Sequence, residues 1–243
     1  MFLKGITLQK EKISSYQSYP FSIPVIKSLV QLHINSNVTF FVGGENGSGK
    51  STLLEAIADK CGFHTAGGGR NNAYHVDASE SPLADYIRLS WLPKVTNGFF
   101  LRAETFYQFA SHIDQVGGAN AAYGGMSLHH QSHGGESFLS LFQHRFHKKA
   151  VYLLDEPEAA LSPQRQLAFL RILHNLTEDG NSQFIIATHS PILLGFPEAT
   201  IFSFDNSNIH EVAYEDTDHY QITRGFLENR ERFLYEIFKE DDE

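Results

Sequence analysis

Gly44-Glu45-Asn46-Gly47-Ser48-Gly49-Lys50-Ser51-Thr52 fits G-x-x-x-x-G-K-[ST], the spacing of the phosphate-binding loop called Walker A. Val38-Thr39-Phe40-Phe41-Val42 runs into it, a β-branched and aromatic stretch that reads as a buried strand. Ser51 to Ala58 runs out of it with helical spacing and good helix formers. Strand, glycine loop and helix form the context in which this spacing binds phosphate. Glycines let backbone N–H groups turn towards an anion, and the helix N-terminus adds its positive dipole end. Lys50 is expected to reach the β- and γ-phosphates, and the Ser51 hydroxyl to hold Mg²⁺. A glycine turn that binds nothing would need neither the lysine nor the hydroxyl.

A second motif lies downstream. Ala150-Val151-Tyr152-Leu153-Leu154 is apolar without alternation, as in a strand buried on both faces of a parallel sheet, and it ends in Asp155-Glu156. Asp155 is the expected partner of the metal shell and Glu156 the group that polarises an attacking water. Gln183 to Thr188 reads as another buried strand that delivers His189 at its tip, followed by the helix-starting pair Ser190-Pro191. An imidazole there can donate to a γ-phosphate oxygen or orient the water.

The rest of the chain reads as a frame for these segments. Residues 1–36 read as strands and turns, with Val25 to Leu29 taken as extended; among Tyr16, Tyr19 and Phe21, an aromatic could stack on a base. Residues 62–147 read as an insertion and helical region hung on a core of 1–61 and 148–215. It contains a glycine loop with Arg70, a strand at Gly98 to Glu104, and a second glycine-rich stretch from Gly117 to Gly125. Ser162 or Pro163 starts a helix ending near Gly180, residues 200–213 read as a hairpin, and residues 216–243 as two short helices with an acidic tail. His129, His130, His133, His144 and His147 have no cysteine or acidic partner at structural-zinc spacing, which argues against zinc.

Bulk properties narrow the class. With 243 residues, 42% hydrophobic and 19% charged, the chain can bury one large core. A net charge of -9 does not point to a broad nucleic-acid surface, although a local groove remains possible. A single cysteine, Cys61, excludes an internal disulfide and fits a reducing cytoplasm. No apolar run is long enough to span a bilayer, so the expectation is a cytoplasmic protein without direct membrane insertion.

In this order the motifs resemble the ATP-binding-cassette (ABC-type) ATPases. Gly44 to Thr52 matches Walker A, and Leu153-Leu154-Asp155-Glu156-Pro157 matches Walker B. Ala159-Ala160-Leu161-Ser162 is similar to the D-loop, and Ala187-Thr188-His189-Ser190 to the switch-histidine stretch. Ser132-His133-Gly134-Gly135-Glu136 resembles the signature in either of two registers, and Gln108 or Glu104 stands for the switch glutamine. The wording Asp-Glu-Pro-Glu-Ala-Ala-Leu-Ser-Pro is closest to soluble, non-transporter members, including small standalone bacterial and phage AAA-family ATPases. No heptads lie between Walker A and the signature stretch, so the long coiled coil of the chromosome-maintenance and recombination-repair members is absent.

The resemblance implies an α/β P-loop NTPase fold. It should have a mostly parallel central sheet, an N-terminal antiparallel β subdomain and a helical signature subdomain. It further implies Mg²⁺-dependent ATP hydrolysis in a homodimer, with ATP held between Lys50 of one subunit and Ser132 to Glu136 of the other. An effector protein and a role in DNA repair or phage defence would follow. A transporter's nucleotide-binding subunit and a non-catalytic ATP-gated module are the alternatives.

Overall fold

Phe40 and Phe41 are neighbours in sequence, yet both are fully buried, because they point into different cores on opposite faces of one sheet. The computed structural model describes residues 1–43, 47–65, 81–103, 139, 142 and 149–239. In chain order these form β1 (Leu3–Leu8), α1 (Pro24–Ser28), β2 (Gln31–His33), β3 (Val38–Val42), α2 (Lys50–Cys61), β4 (Ile87–Trp91), β5 (Gly98–Arg102) and β6 (Ala150–Asp155). Then come α3 (Pro163–Glu178), β7 (Ser182–Ala187), α4 (Pro191–Leu194), β8 (Thr200–Ser203), β9 (His210–Glu211), α5 (Asp218–Glu228) and α6 (Arg230–Phe238).

The central sheet runs β5-β6-β7-β3-β8-β9, parallel throughout except for the antiparallel edge strand β9. A smaller antiparallel sheet, β2-β1-β4, lies beside it. These are the mostly parallel sheet and N-terminal antiparallel β region that the sequence leads one to expect. Alternation along each central strand sorts the apolar side chains. Phe41, Phe100, Val151, Leu153 and Ile185 join α1, α2 and the small sheet in one core. Phe40, Phe99, Leu101, Tyr152, Leu154, Phe184 and Ile186 join Phe169, Ile172 and Leu173 of α3 in the other. Among the described residues, no helix is long and apolar enough to cross a membrane.

Two local expectations are corrected. Residues 25–29, read as extended, include most of α1: Pro24 opens the helix, and Val25 and Ile26 are buried. Short apolar runs do not declare their period, and here the helix lays Ile26 beside Gly49. Residues 87–91, read as part of an insertion, form β4 and pair with β1. Only Ile87 of that strand is fully buried, so its apolar periodicity is weak.

A buried side chain ties the two sheets together. Gln183, the second residue of β7 and fully buried, accepts from the backbone N–H groups of Phe2 and Leu3, each at 2.8 Å, and donates to Leu3 O at 2.9 Å. The amide behaves as one more peptide unit paired with the start of β1. Gln183→Leu would keep the volume and leave two N–H groups and a carbonyl without these bonds. It should cost ~2–4 kcal/mol of stability, read by denaturant unfolding. A loss under ~1 kcal/mol would mean that those groups find other partners.

Candidate functional site

The parallel strands end together, and their C-terminal ends carry the polar groups. In register, Arg102 of β5 lies beside Asp155 of β6, and Asp155 beside Ala187 of β7. The ladder continues past the strands, with Glu156 N donating to Ala187 O and Thr188 N to Phe41 O. Gly43, Asp155, Glu156 and His189 are thereby delivered to one edge by backbone pairing alone.

Between β3 and α2 the chain turns through Gly47 (φ 89) and Gly49 (φ 101), both in the left-handed region. Gly49 caps α2, and a Cβ there would sit 3.2 Å from the Ile23 side chain. Lys50 follows, 5% exposed, with its ammonium 3.3 Å from Gly43 O and 3.2 Å from Ser48 Oγ. Burial pushes its pKa down, while Glu156, Asp155, Asp205 and Glu158 pull it back up. A buried cation folded back on its own loop, at the N-terminus of a twelve-residue helix, is arranged to receive an anion. Gly44, Glu45 and Asn46 lie outside the described residues.

The Ser51 hydroxyl donates to Asp155 Oδ1 at 3.0 Å, joining the two motifs. Burial raises the Asp155 pKa from 3.8 to about 6, against the lowering effect of Arg102 and of the Ser51 hydrogen bond. Arg102 lies 3.3 Å from Asp155 Oδ2 through Nε and 2.6 Å from Glu55 Oε1 through Nη1. These oxygens fit a magnesium ion. Neighbouring ligands on an octahedral ion with bonds of 2.0–2.1 Å stand about 2.9 Å apart, and hydroxyl plus carboxylate is a hard-oxygen set. Among the described residues no cluster of three or more His, Cys, Asp or Glu side chains could hold a metal. Gln108 and Glu104, the further candidates, lie outside the described residues.

Glu156 adopts φ 51, ψ 52, a left-handed conformation that is uncommon for a side chain of this kind. Backbone strain of this sort gathers at working sites. Its carboxylate is 3.6 Å from His189 Nε2. The His189 backbone is held from below, its N–H donating to Glu158 Oε1 at 2.6 Å. On its other side, His189 Nδ1 lies 2.9 Å from His219 Nε2, a residue of α5. Burial, then Lys50 and His219, lower the His189 pKa, so the ring is neutral near pH 7.

Lys50, Ser51, Asp155, Glu156 and His189 therefore converge, with Thr52 one residue further into α2. Ser132, His133, Gly134, Gly135 and Glu136 lie outside the described residues. Of the aromatics, Phe21 is buried edge-on against Tyr86 and Tyr16 packs on the core; Tyr19 is exposed, its hydroxyl 3.3 Å from Thr52 Oγ1. Arg102, Glu158 and His219 were not picked out from sequence. The strand ending in Arg102 could have signalled it by register with Asp155. Nothing local in sequence pairs His219 with His189.

Residues 123–195 match the family described as "AAA domain, putative AbiEii toxin, Type IV TA system". The chain is 29% identical over 162 residues to the thiamine import ATP-binding protein ThiQ of Jannaschia sp. (strain CCS1), covering 60% of this chain and 69% of that one. It is 49% identical over 47 residues to protein ea59 of Escherichia phage lambda, which is 19% of this chain and only 9% of the phage protein's length. Similar solved structures include the SMC head domain from Thermotoga maritima, with 18% identity, TM-score 0.47, and coverage of 87% and 98% of the two chains. Another is cbiO1 from Clostridium perfringens, part of an ABC transporter complex, with 16% identity, TM-score 0.48, and coverage of 86% and 91%.

The raised pKa of Asp155 carries a stability consequence. Between about pH 4 and about pH 6 the folded chain holds a proton that the unfolded chain has released, so this group's contribution falls as pH rises through that window. Asp155→Asn removes the buried charge. It should stabilise the metal-free protein at pH 7 by ~2 kcal/mol and flatten that part of the pH profile, as read from denaturant melts at several pH values. An Asn variant no more stable than wild type would mean that Arg102 already offsets the burial of the charge.

Proposed function

We propose that this chain, which has the fold of an ABC-type ATPase nucleotide-binding domain, binds and hydrolyses Mg²⁺-ATP and acts as an ATP-gated dimerising switch. The contact that carries the reading is Ser51 Oγ to Asp155 Oδ1 at 3.0 Å, beside the buried Lys50 ammonium. A magnesium ion held by Ser51 and Asp155 would neutralise charge on the β- and γ-phosphates. Lys50 does the same from the loop side and fixes the phosphates in line for attack. Glu156 accepts hydrogen bonds from the attacking water and draws its proton, while His189 orients the water and the γ-phosphate. The gain comes from groups placed before the reaction, in a site with little freedom to reorganise.

One chain supplies the phosphate loop, both acids and the switch histidine. The reading takes Ser132 to Glu136 of a second copy as the cover over the γ-phosphate, so that ATP closes a homodimer and hydrolysis opens it. Gln108 or Glu104 would complete the metal shell. Dimer closure is the output, passed to an effector protein; DNA repair and phage defence are the settings proposed. The 29% identity to a thiamine-import ATP-binding protein favours a second reading, the nucleotide-binding subunit of a membrane transporter. Co-purification with a multi-span membrane protein would decide for it. A non-catalytic module would keep nucleotide-driven dimerisation without phosphate release.

Light scattering after size exclusion, with and without Mg²⁺-ATP, tests the proposal. Wild type should shift to dimer only transiently. Glu156→Gln should bind ATP, lose turnover by about a thousandfold and stay dimeric. Full turnover in Glu156→Gln would remove that residue from its role, and a monomer under all conditions would remove the switch.

A further inference from the structure

The contact between His189 and His219 serves no step in phosphate binding. The two rings lie with centroids 5.0 Å apart at 48°, and Nδ1 of one is 2.9 Å from Nε2 of the other. Between two neutral imidazoles, one nitrogen must donate and the other accept. Heavy-atom positions leave both assignments open, and the surrounding charge selects one.

We propose that His219 is a positioning residue for His189: its Nε2–H donates to His189 Nδ1, which places the His189 proton on Nε2. That N–H then faces Glu156 and the γ-phosphate of the ATP assigned to this site, so the proposal rests on the function proposed above.

The argument is electrostatic. His189 Nε2 lies 3.6 Å from Glu156 Oε1. A lone pair there would face a carboxylate and, with substrate bound, an anionic phosphate. An N–H there is attracted to both. Fixing that tautomer requires a donor at Nδ1, and His219 stands at donor distance. The charged groups around the pair leave both rings neutral near pH 7. Burial and the Lys50 ammonium lower each imidazole, against Glu156 and Asp205 acting on His189, and Asp205 and Asp218 acting on His219. A neutral donor to a neutral acceptor leaves the Lys50 ammonium as the positive group facing the phosphates from this side.

His219 is itself held firmly. Thr217, only 3% exposed, caps α5 by accepting from Tyr220 N at 3.3 Å and donating to Tyr214 O at 2.8 Å. The Tyr214 hydroxyl donates to Pro191 O at 2.9 Å, two residues beyond His189. The start of α5 is thus bound to the start of α4, and the two histidines share one frame. Such outer partners set the ring nitrogen that carries the proton and the direction in which it points.

Two measurements test this on the full chain. Nitrogen-15 NMR of histidine-labelled protein at neutral pH should show His189 protonated at Nε2 and bare at Nδ1 in wild type and in His219→Gln, whose carboxamide N–H₂ reaches the same place. In His219→Ala the two tautomers should mix. Steady-state turnover should fall about tenfold in kcat for His219→Ala with KM for ATP little changed, and His219→Gln should recover most of the loss. A proton on His189 Nδ1 in wild type would overturn the proposal. So would an unaltered kcat in His219→Ala, or a Gln variant no better than Ala when both melt like wild type. If wild type hydrolyses no ATP, the proposed function fails, and the NMR tautomer, read without nucleotide, still decides the pairing.

Discussion

A hydroxyl and a carboxylate 3.0 Å apart, from positions 104 residues apart in the chain, set the demands on the rest of the molecule. Ser51 reaches that point because the glycine turn sends α2 off the end of β3 at once. Asp155 reaches it because β6 ends two strands away in the same parallel register. Parallel pairing requires crossovers, and α3 makes the one between β6 and β7. The helices that cover the sheet therefore also bring its strand ends level. Loss of register by one residue would turn Asp155 from the site into the core.

The site concentrates charge that water would otherwise screen. Lys50 and Asp155 are each 5% exposed, and burial opposes the charged form of both. Glu156, Asp155, Asp205 and Glu158 offset part of that cost for Lys50, and Arg102 and the Ser51 hydroxyl do so for Asp155, where Glu156 and Glu55 add to it. A protein selected for stability alone would do better with apolar groups at such positions. Under the proposed function, a nucleotide phosphate and a divalent ion would supply charges that pair with these groups. The strained backbone at Glu156 fits the same picture: a carboxylate turned out of the strand towards the space where substrate would lie.

Much of this was legible in the sequence because the strong signals are local. The strands at residues 38–42 and 150–155 are continuous apolar runs, the helix from Lys50 follows directly on a glycine loop, and the helix from Pro163 opens on a serine cap. The failures were of another kind. Residues 25–29 offered five residues of apolar pattern, too few to separate helix from strand. Ile87–Trp91 is half exposed and so shows little alternation. Gln183 reads as an ordinary polar residue in an apolar strand, because its partners, Phe2 and Leu3, are about 180 residues away. His219 is hidden for the same reason: a histidine in the first turn of a surface helix means nothing until α5 is seen against His189.

The account depends on a buried ammonium and a hydroxyl–carboxylate pair acting together on one triphosphate. Titration calorimetry with ATP, with and without Mg²⁺, on wild type and Lys50→Ala measures that directly. The account predicts binding that strengthens with Mg²⁺ and is lost in Lys50→Ala while the variant still melts as a folded protein. Equal affinity in the two proteins, or no response to Mg²⁺, would contradict it.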